Sequence, residues 1–284
     1  MRATPTCGPS SLDLSTLPGV EIHQIPIHTD NYCYLIRDTG SNTVAVIDPG
    51  QAEPVLEEAK KLRWTITDIF ITHHHWDHVD GLEEVKAMTG ALVTGPAAEH
   101  HKIDHMDRLV YGGETIPFGN KTIRILDVPG HTLGQIGYLL EPDETSPEGS
   151  CSVLVPGDSL FAMGCGRIFE GDPVMMWNSL KQFARGNNEI SGNTLVCAHH
   201  EYTASNAAFA LSVDPENEAL QDRSRAINAL RESSEPTVPY VLEEDWDTNP
   251  FLRPDDIRIR TALQLEEADD QDVFTALRKA KDNF

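Results

Sequence analysis

Residues 72–78 read T-H-H-H-W-D-H and contain four histidines and an aspartate within six consecutive positions. The residues before them (W-T-I-T-D-I-F-I) are β-branched and aromatic at many positions, which predicts a strand ending before this segment. Alternate side chains of an extended segment point to the same side, so His73, His75 and Asp77 can converge. A turn after them can bring in His78. Because divalent ions such as zinc prefer imidazole and carboxylate ligands, the segment predicts a metal-binding loop between a strand and a helix.

A histidine-rich surface patch is the alternative interpretation of the same segment. The chain has 12 histidines in 284 residues, so three at these spacings with an interleaved Asp are improbable by composition alone. His74 alternates away from the other side chains, and we expect it in solvent or behind the ligands. A second group, His100, His101 and His105, has no carboxylate partner in its pattern and is more typical of a surface patch.

Three later segments repeat the pattern of a short apolar run followed by a potential metal ligand. His131 and Asp158 each follow such a run, and the pair His199 and His200 follows a third. A single His or Asp after a strand is more typical of a turn or a cap. Four such positions in one chain together indicate a catalytic metal site.

The four motifs resemble the ordered metal-binding motifs of the metallo-β-lactamase superfamily. They read T-H-H-H-W-D-H, P-G-H-T-L-G, G-D-S-L-F and H-E-Y-T in chain order. Four further segments are similar to the glyoxalase II family, the hydroxyacylglutathione hydrolases. These are residues 164–171 (G-C-G-R-I-F-E-G), 197–203 (C-A-H-H-E-Y-T), 249–253 (N-P-F-L-R) and 277–284 (L-R-K-A-K-D-N-F). The resemblance covers residues 20–284 and implies an α/β fold, an αββα sandwich with a smaller C-terminal helical domain.

The resemblance also implies ligands for two divalent ions, zinc first, with iron or manganese as alternatives. The first ion would be held by His73, His75 and His131, the second by Asp77, His78 and His200, and both by Asp158. Two such ions carry four positive charges. Asp77, Asp158 and a bridging hydroxide would neutralise three of them, which leaves an electrophilic centre suited to hydrolysis. His199 competes with His200 in the sequence, and the register of H-E-Y-T favours His200.

The substrate that the resemblance implies is S-D-lactoylglutathione, hydrolysed to D-lactate and glutathione in methylglyoxal detoxification. Arg278 and Lys281 match the pair of cations that meets the glycine carboxylate in the family. The other substrate contacts map to Arg167, Phe169, Tyr202 and Asn206. Phe169 stands where some members have a tyrosine. Without the resemblance, cations near residue 280 are equally typical of a helix C-terminus, where they favour the helix dipole.

Charge and cysteine content limit the other classes of function. With 22 Lys and Arg against 45 Asp and Glu, the net charge is −23, which argues against nucleic acid or an anionic membrane as partner. The five cysteines are odd in number and contain no C-x-x-C pair, so we expect reduced thiols and a cytoplasmic location. An organellar presequence stays open. No apolar run reaches the length of about 18 residues of a membrane span, and we expect a monomer.

The periodicity of apolar residues predicts the elements and the domains. Strands are expected at residues 20–27, 32–36, 43–48, 64–71, 91–94, 122–128, 153–156 and 194–198. Helices are expected at residues 54–62, 82–88, 173–184, 204–211, 216–231 and 273–281, and a polar loop at residues 141–150. We expect a disordered tail at residues 1–19, a catalytic domain at residues 20–200 and a helical substrate-binding domain at residues 201–284.

Three alternative functions stay open at the level of sequence. Within the same fold, a persulfide dioxygenase would use a single iron and lack the helical C-terminal domain. A lactonase would lack the cationic C-terminus. A non-enzymatic metal-binding protein would keep the ligands without any turnover, so metal stoichiometry together with thioesterase activity distinguishes these classes.

Overall fold

The computed structural model describes residues 17, 19–143, 150–187 and 190–284, and its core is a pair of facing β-sheets. The first sheet contains β1 Val20–Ile27, β2 Asn31–Asp38, β3 Val44–Ile47, β4 Asp68–Phe70, β5 Leu92–Pro96 and β6 Arg108–Val110. The second sheet begins with β7 Thr115–Phe118, β8 Lys121–Asp127, β9 Ile136–Leu140 and β10 Val153–Val155. A separate hairpin pairs β11 Leu160–Phe161 with β12 Gly164–Cys165. The second sheet is completed by β13 Leu195–Val196 and β14 Tyr240–Val241.

The first sheet has the order β1-β2-β3-β4-β5-β6 and changes from antiparallel to parallel pairing at β3. The second sheet has the order β14-β13-β10-β9-β8-β7, in which only β10 and β13 pair in parallel. The carboxyl ends of parallel neighbours lie at the same edge of a sheet. The segments that follow β3, β4 and β5 therefore lie side by side at one edge of the first sheet.

A buried apolar layer fills the space between the two sheets. It includes Tyr34 and Phe70 from the first sheet and Ile125 and Tyr138 from the second. Phe70 stacks on Tyr138 with ring centroids 5.1 Å apart. Since burial of a side chain such as Phe contributes roughly 1.5–3 kcal/mol, this layer fixes which face of each strand points inward.

Helices cover the outer faces of both sheets. They are α1 Ala52–Leu62, α2 Trp76–Val79, α3 Leu82–Thr89, α4 Pro173–Leu180, α5 Thr203–Val213, α6 Glu218–Glu232, α7 Leu242–Thr248, α8 Ile257–Leu263 and α9 Asp270–Asp282. α1 and α3 pack on the first sheet through Val55 and Val85. α4, α5 and α9 pack on the second through Met176, Phe209 and Phe274. The expected αββα sandwich with C-terminal helices is confirmed. Within the described residues, no helix has the length and apolar character needed to cross a membrane.

Side-chain caps set the first residues of several helices. Asp172 accepts a hydrogen bond from Met175 N, and Pro173 occupies the start of α4. Asn217 and Asp269 cap α6 and α9 in the same way. Such a cap satisfies a backbone N–H that has no partner within the helix and contributes about 1 kcal/mol.

Some element boundaries differ from the expectation. The strand expected at residues 64–71 is confined to β4, because Trp64 N donates to Ala59 O at the end of α1. α4 ends at Leu180 rather than at residue 184, because Phe183 N donates to Leu180 O in a tight turn. The tail expected at residues 1–19 and the polar loop expected at residues 141–150 lie largely outside the described residues.

β14 was not expected, and it comes from the C-terminal part of the chain. It pairs antiparallel with β13, so that Val241 lies opposite Leu195 and Tyr240 opposite Val196. Residues beyond position 201 therefore complete the second sheet in addition to forming helices. The division into domains at residues 20–200 and 201–284 stays a prediction.

Candidate metal centre

Three histidines meet where β4 and β8 end. His73 and His75 stand in the segment after β4, and His131 stands in the turn after β8. His75 Nδ1 lies 3.1 Å from His73 Nε2 and 2.9 Å from His131 Nε2. The three ring nitrogens point at one place, and we call these residues the first ligand group.

Asp77, His78 and His200 form a second ligand group beside the first. Asp77 and His78 belong to α2, and His200 follows β13. The Nε2 atoms of His78 and His200 each lie 3.6 Å from Asp77 Oδ2. Their potential ligand atoms all lie within 4.8 Å of one another, close enough to share one ion.

Asp158 lies between the two ligand groups. Its Oδ1 is 3.4 Å from His78 Nε2, and its Oδ2 is 3.1 Å from His200 Nε2. Oδ2 also lies 3.5 Å from His131 Nε2 of the first group. One carboxylate therefore faces both groups, as the resemblance implies for a shared ligand.

The buried polar atoms of the centre suit a divalent cation. Within the described part of the chain, His78 Nε2, His200 Nε2 and Asp158 Oδ1 have no hydrogen-bond partner. An unpaired buried polar atom costs about 1–3 kcal/mol, and a cation between these atoms would satisfy all three. Burial holds the pKa of His73 well below its usual range, so this ring is neutral and offers a lone pair. Imidazoles and carboxylates in this arrangement fit zinc or a similar ion.

Hydrogen bonds fix the far side of the rings in the first group. Thr72 Oγ1 lies 2.9 Å from His73 Nδ1, and the carbonyl oxygen of Arg167 lies 2.8 Å from His131 Nδ1. Partners of this kind fix the tautomer and the orientation of a metal-binding imidazole. His73 and His131 are therefore held with Nε2 toward the centre.

Two residues that support the second group were not predicted. Asp48 follows β3 and lies 3.0 Å from His78 Nδ1, and Asn31 Nδ2 donates to Asp77 Oδ2 at 2.8 Å. Burial lowers the pKa of His78, but Asp158 and Asp48 together raise it well above its usual value. Asp48 could have been found by listing acidic residues after each parallel strand. No comparable signal marks Asn31.

His74 and His199 lie outside the two ligand groups. His74 Nδ1 is 2.8 Å from Glu99 Oε2, and His199 Nε2 is 3.2 Å from Asp48 Oδ2. His200 faces the centre instead, and its role as a metal ligand stays a prediction. The surface group His100, His101 and His105 takes no part in the clusters of potential ligands found among the described residues.

The glutamate of the H-E-Y-T motif has a structural role. Glu201 Oε2 accepts hydrogen bonds from Tyr32 OH and from Thr237 N, both at 2.9 Å. Its backbone N–H donates to Asp30 O at 2.8 Å. Glu201 therefore ties the segment that carries His200 to β2 and to the segment before β14.

A cavity of about 720 Å³ opens over the ligand groups, a volume in the range of pockets for small ligands. Its wall contains all the residues that the resemblance assigned to substrate, namely Arg167, Phe169, Tyr202, Asn206, Arg278 and Lys281. The cavity also contacts residues that were not predicted, namely Trp76, Phe161, Cys165, Glu170 and Ser205. The substrate roles of the first set stay proposals.

The two C-terminal cations have different surroundings. Arg278 is 5% exposed, and its Nη1 donates to Cys165 O at 3.0 Å and Gly166 O at 3.3 Å. Its Nη2 donates to Asp282 Oδ1 at 2.9 Å. Lys281 is only half-buried at the cavity wall. Arg278 therefore holds the segment after β12, whereas Lys281 is the more accessible cation.

The remaining wall residues are placed by contacts with the ligands and the hairpin. Phe169 contacts the ring of His131 edge-on, with centroids 5.3 Å apart. Tyr202 stacks on His200 at 4.7 Å, and burial raises the pKa of Tyr202, so its hydroxyl stays protonated at neutral pH. Asn206 Nδ2 donates to Ala162 O at 3.1 Å and thereby holds the turn between β11 and β12.

Comparison with known proteins defines the class. Residues 28–199 match the model of the metallo-beta-lactamase superfamily, and residues 201–284 match that of the hydroxyacylglutathione hydrolase C-terminus. A solved metallo-beta-lactamase from Staphylococcus aureus is 19% identical and has a TM-score of 0.62, covering 93% of this chain and 72% of that one. At this identity the likeness shows the fold alone, and the family model over residues 28–199 assigns the chain to the metallo-beta-lactamase superfamily.

Two relatives narrow this class to a family. The hydroxyacylglutathione hydrolase of Rhodospirillum rubrum is 44% identical over 95% of this chain and 100% of its own length. That of Methylococcus capsulatus is 42% identical over 93% of this chain and 99% of its own length. The chain belongs to the hydroxyacylglutathione hydrolase family of the metallo-β-lactamase superfamily.

Proposed function

We propose that the protein hydrolyses S-D-lactoylglutathione, and related hydroxyacylglutathione thioesters, to D-lactate or the corresponding acid and glutathione. The reaction would serve methylglyoxal detoxification. The observation that carries the proposal is the position of both ligand groups at a cavity whose wall presents Arg167 and Lys281. The names of the two relatives support the same activity.

The ligand groups would hold two divalent ions, which we propose to be zinc, with iron or manganese as alternatives. The residues proposed to hold them are His73, His75 and His131 for one ion, Asp77, His78 and His200 for the other, and Asp158 for both. When bound, such a pair supplies hydroxide at neutral pH and polarises a carbonyl group. Asp77 and Asp158 supply the negative charge that retains the ions in a buried site.

The protein's own residues orient the ligands and the acyl half of the substrate. Asn31 holds Asp77 from behind, and Asp48 holds His78. Trp76 and Phe169 are 60% and 61% exposed at the cavity and give its rim an apolar surface. A thiol with a pKa of about 8.5 is a good leaving group, so the protein need not supply a general acid for the glutathione thiolate.

The glutathione half needs local cations. Glutathione carries two carboxylates and one ammonium at neutral pH, and a chain of net charge −23 repels it unless cations face the site. The side chain of Arg167 is 64% exposed, and Lys281 lies at the same cavity. We assign carboxylate binding to Arg167 and Lys281, with Arg278 behind them. We assign to the Tyr202 hydroxyl the role of donating a hydrogen bond to the substrate. Phe169 and Asn206 complete the wall.

Turnover of S-D-lactoylglutathione, followed as loss of thioester absorbance, tests the proposal. We expect turnover that a chelator removes and added zinc restores, with metal content near two ions per chain. Oxygen consumption with a single iron would support a persulfide dioxygenase instead. A full metal load without any thioester turnover would support a non-enzymatic metal-binding protein, and lactone hydrolysis alone would support a lactonase.

Thiol alkylation is expected to leave activity unchanged, because the proposed reaction needs no cysteine. Cys165 lines the cavity but is 6% exposed, and burial raises the pKa of its thiol although Arg278 lowers it. Burial also raises the pKa of Cys33 and Cys197. Treatment of the native enzyme with iodoacetamide, with metal content measured before and after, checks this. Inactivation that leaves the metals in place and that substrate prevents would identify a nucleophilic cysteine.

We also propose that the protein acts as a monomer in a reducing compartment such as the cytoplasm. The net charge of −23 supports a small-molecule substrate rather than nucleic acid or an anionic membrane. Sedimentation of the metal-loaded protein would test the oligomeric state.

A further inference from the structure

A buried carboxylate outside both ligand groups joins the segments that carry the first of them. Glu99 stands in the turn after β5 and is 2% exposed. Its Oε2 accepts a hydrogen bond from His74 N at 2.8 Å and lies 2.8 Å from His74 Nδ1. Its Oε1 accepts hydrogen bonds from Gly134 N at 3.0 Å and from Thr132 Oγ1.

These contacts connect two segments that are far apart in the sequence. His74 stands between His73 and His75, and Thr132 directly follows His131. One carboxylate thus binds the immediate neighbours of every residue in the first ligand group. The approach is close, because a Cβ at position 134 would lie 2.6 Å from Glu99 Cγ.

The burial of Glu99 needs a physical reason. A buried carboxylate carries a desolvation penalty of several kcal/mol, which is offset only where donors surround it. Two backbone N–H groups, a hydroxyl and an imidazole face Glu99, and an apolar side chain of similar size could not join them. The carboxylate therefore sets the distance between the two segments rather than merely filling space.

A separate metal site at His74, Glu99 and Glu170 explains the same cluster less well. Their potential ligand atoms lie within 4.8 Å of one another. However, both oxygens of Glu99 already accept hydrogen bonds from the protein. Lys102 Nζ lies 2.6 Å from Glu170 Oε1 and supplies a positive charge there.

We propose that Glu99 is a positioning residue for the first ligand group, which fixes the separation of the His73–His75 segment from His131. The affinity of this group for its ion then depends on a residue that does not touch the ion. The proposal rests on the metal sites proposed above. Partners behind metal ligands typically change metal affinity about 10–100-fold.

Glu99→Gln tests the proposal with little change in size. Its amide NH₂ must face either the donors at His74 or those at Thr132 and Gly134, so one of the two connections is lost. We expect one of the two zinc dissociation constants to rise about 10–100-fold and the other to stay unchanged. Titration of the metal-free protein against a chelator of known zinc affinity measures both constants.

A second pair of variants decides the question even if Glu99→Gln fails to fold. Thr132→Val removes one donor to Glu99 and is expected to raise the same zinc dissociation constant by a smaller factor. Thr132→Ser keeps the hydroxyl and is expected to restore the wild-type value. Spectra of the cobalt-loaded variants show whether one ion or both change their surroundings.

Asp38→Asn is the matched control for general loss of stability. Asp38 is also fully buried, and it accepts hydrogen bonds from Asn120 N and Gly40 N. It stands at the opposite end of β2 from Asn31, roughly 23 Å away at about 3.3 Å per residue. We expect Asp38→Asn to lower the melting temperature and to leave both zinc constants unchanged.

The outcomes separate this proposal from the proposed function. Wild-type protein that binds two ions, with both constants unchanged in Glu99→Gln and in Thr132→Val, would overturn the positioning role alone. A parallel rise of both constants would also overturn it, since that result indicates a general loss of structure. Wild-type protein that binds fewer than two ions would overturn the proposed metal sites and this inference with them.

Discussion

Substitution of Asp158 by alanine is expected to lower the metal content to one ion or fewer per chain and to remove most of the activity. Asp158 faces His78 and His200 of the second ligand group and His131 of the first. Metal polarisation contributes several kcal/mol to such reactions, and each 1.36 kcal/mol is tenfold in rate, so kcat/KM should fall by at least about 100-fold. Elemental analysis and thioester turnover of the purified variant measure both effects.

His74→Ala is the matched control for this substitution. His74 belongs to the same motif, but its ring faces Glu99, and its backbone N–H continues to donate to Glu99 after the change. We expect this variant to keep two ions per chain when zinc is in excess. Because it loses one donor to Glu99, its zinc dissociation constant for the first ligand group should rise only as far as in Thr132→Val. If Asp158→Ala kept two ions and a near-normal kcat, the assignment of Asp158 as the shared ligand would be wrong.

The candidate ligands could be predicted because their signals are local. His73, His75, Asp77 and His78 lie in one short segment after a strand, and the period of that segment determines which side chains converge. The same holds for β1, which is observed at the predicted Val20–Ile27. Where the period and the ligand types agree within a few residues, sequence alone is sufficient to propose the site.

The supporting residues were not predicted, because their role depends on contacts across the fold. Asp48 and Glu99 follow β3 and β5, and they reach the site only because parallel pairing places the ends of β3, β4 and β5 together. Asn31 meets Asp77 across 46 positions of the chain. The strand β14 was not predicted either, because its two residues are too few to give a sequence pattern and its partner β13 lies far away in the sequence.

The substrate side shows a further limit of sequence reasoning. Arg278 and Lys281 are both cations near the end of α9, and the sequence treats them as an equivalent pair. Arg278 is buried and donates to the carbonyl oxygens of Cys165 and Gly166. Lys281 donates to Ser205 O at 3.1 Å, but it is only half-buried at the cavity wall. The family resemblance assigns the glycine carboxylate to both cations, but we expect a change in KM mainly from replacement of Lys281.

Lys281→Met is expected to raise KM for the glutathione thioester about tenfold and to leave kcat nearly unchanged. A charge-assisted hydrogen bond contributes about 1.5–3 kcal/mol, and 1.4 kcal/mol is a factor of ten. Because the glycine carboxylate is far from the reacting carbonyl, this binding energy is the same in the ground state and the transition state. Lys281 Nζ lies 5.4 Å from the centre of the Phe209 ring, and methionine keeps an unbranched side chain of similar length beside that ring without the charge. Steady-state kinetics of the metal-loaded variant measure KM and kcat separately.

Arg278→Ala should behave differently, and Lys279→Met provides the control for charge alone. Loss of Arg278 leaves the carbonyl oxygens of Cys165 and Gly166 without their donor, so the melting temperature should fall. The same segment carries the Arg167 carbonyl that holds His131, so kcat should fall as well. Lys279 is exposed on the same helix and outside the cavity wall, and its replacement should leave KM unchanged.

Added salt should raise the wild-type KM, because the Debye length falls from about 10 Å at 0.1 M to about 3 Å at 1 M. The same salt should raise the KM of Lys281→Met less. An unchanged KM in a folded, metal-loaded Lys281→Met would remove this residue from the glutathione site and leave the metal-dependent hydrolase intact.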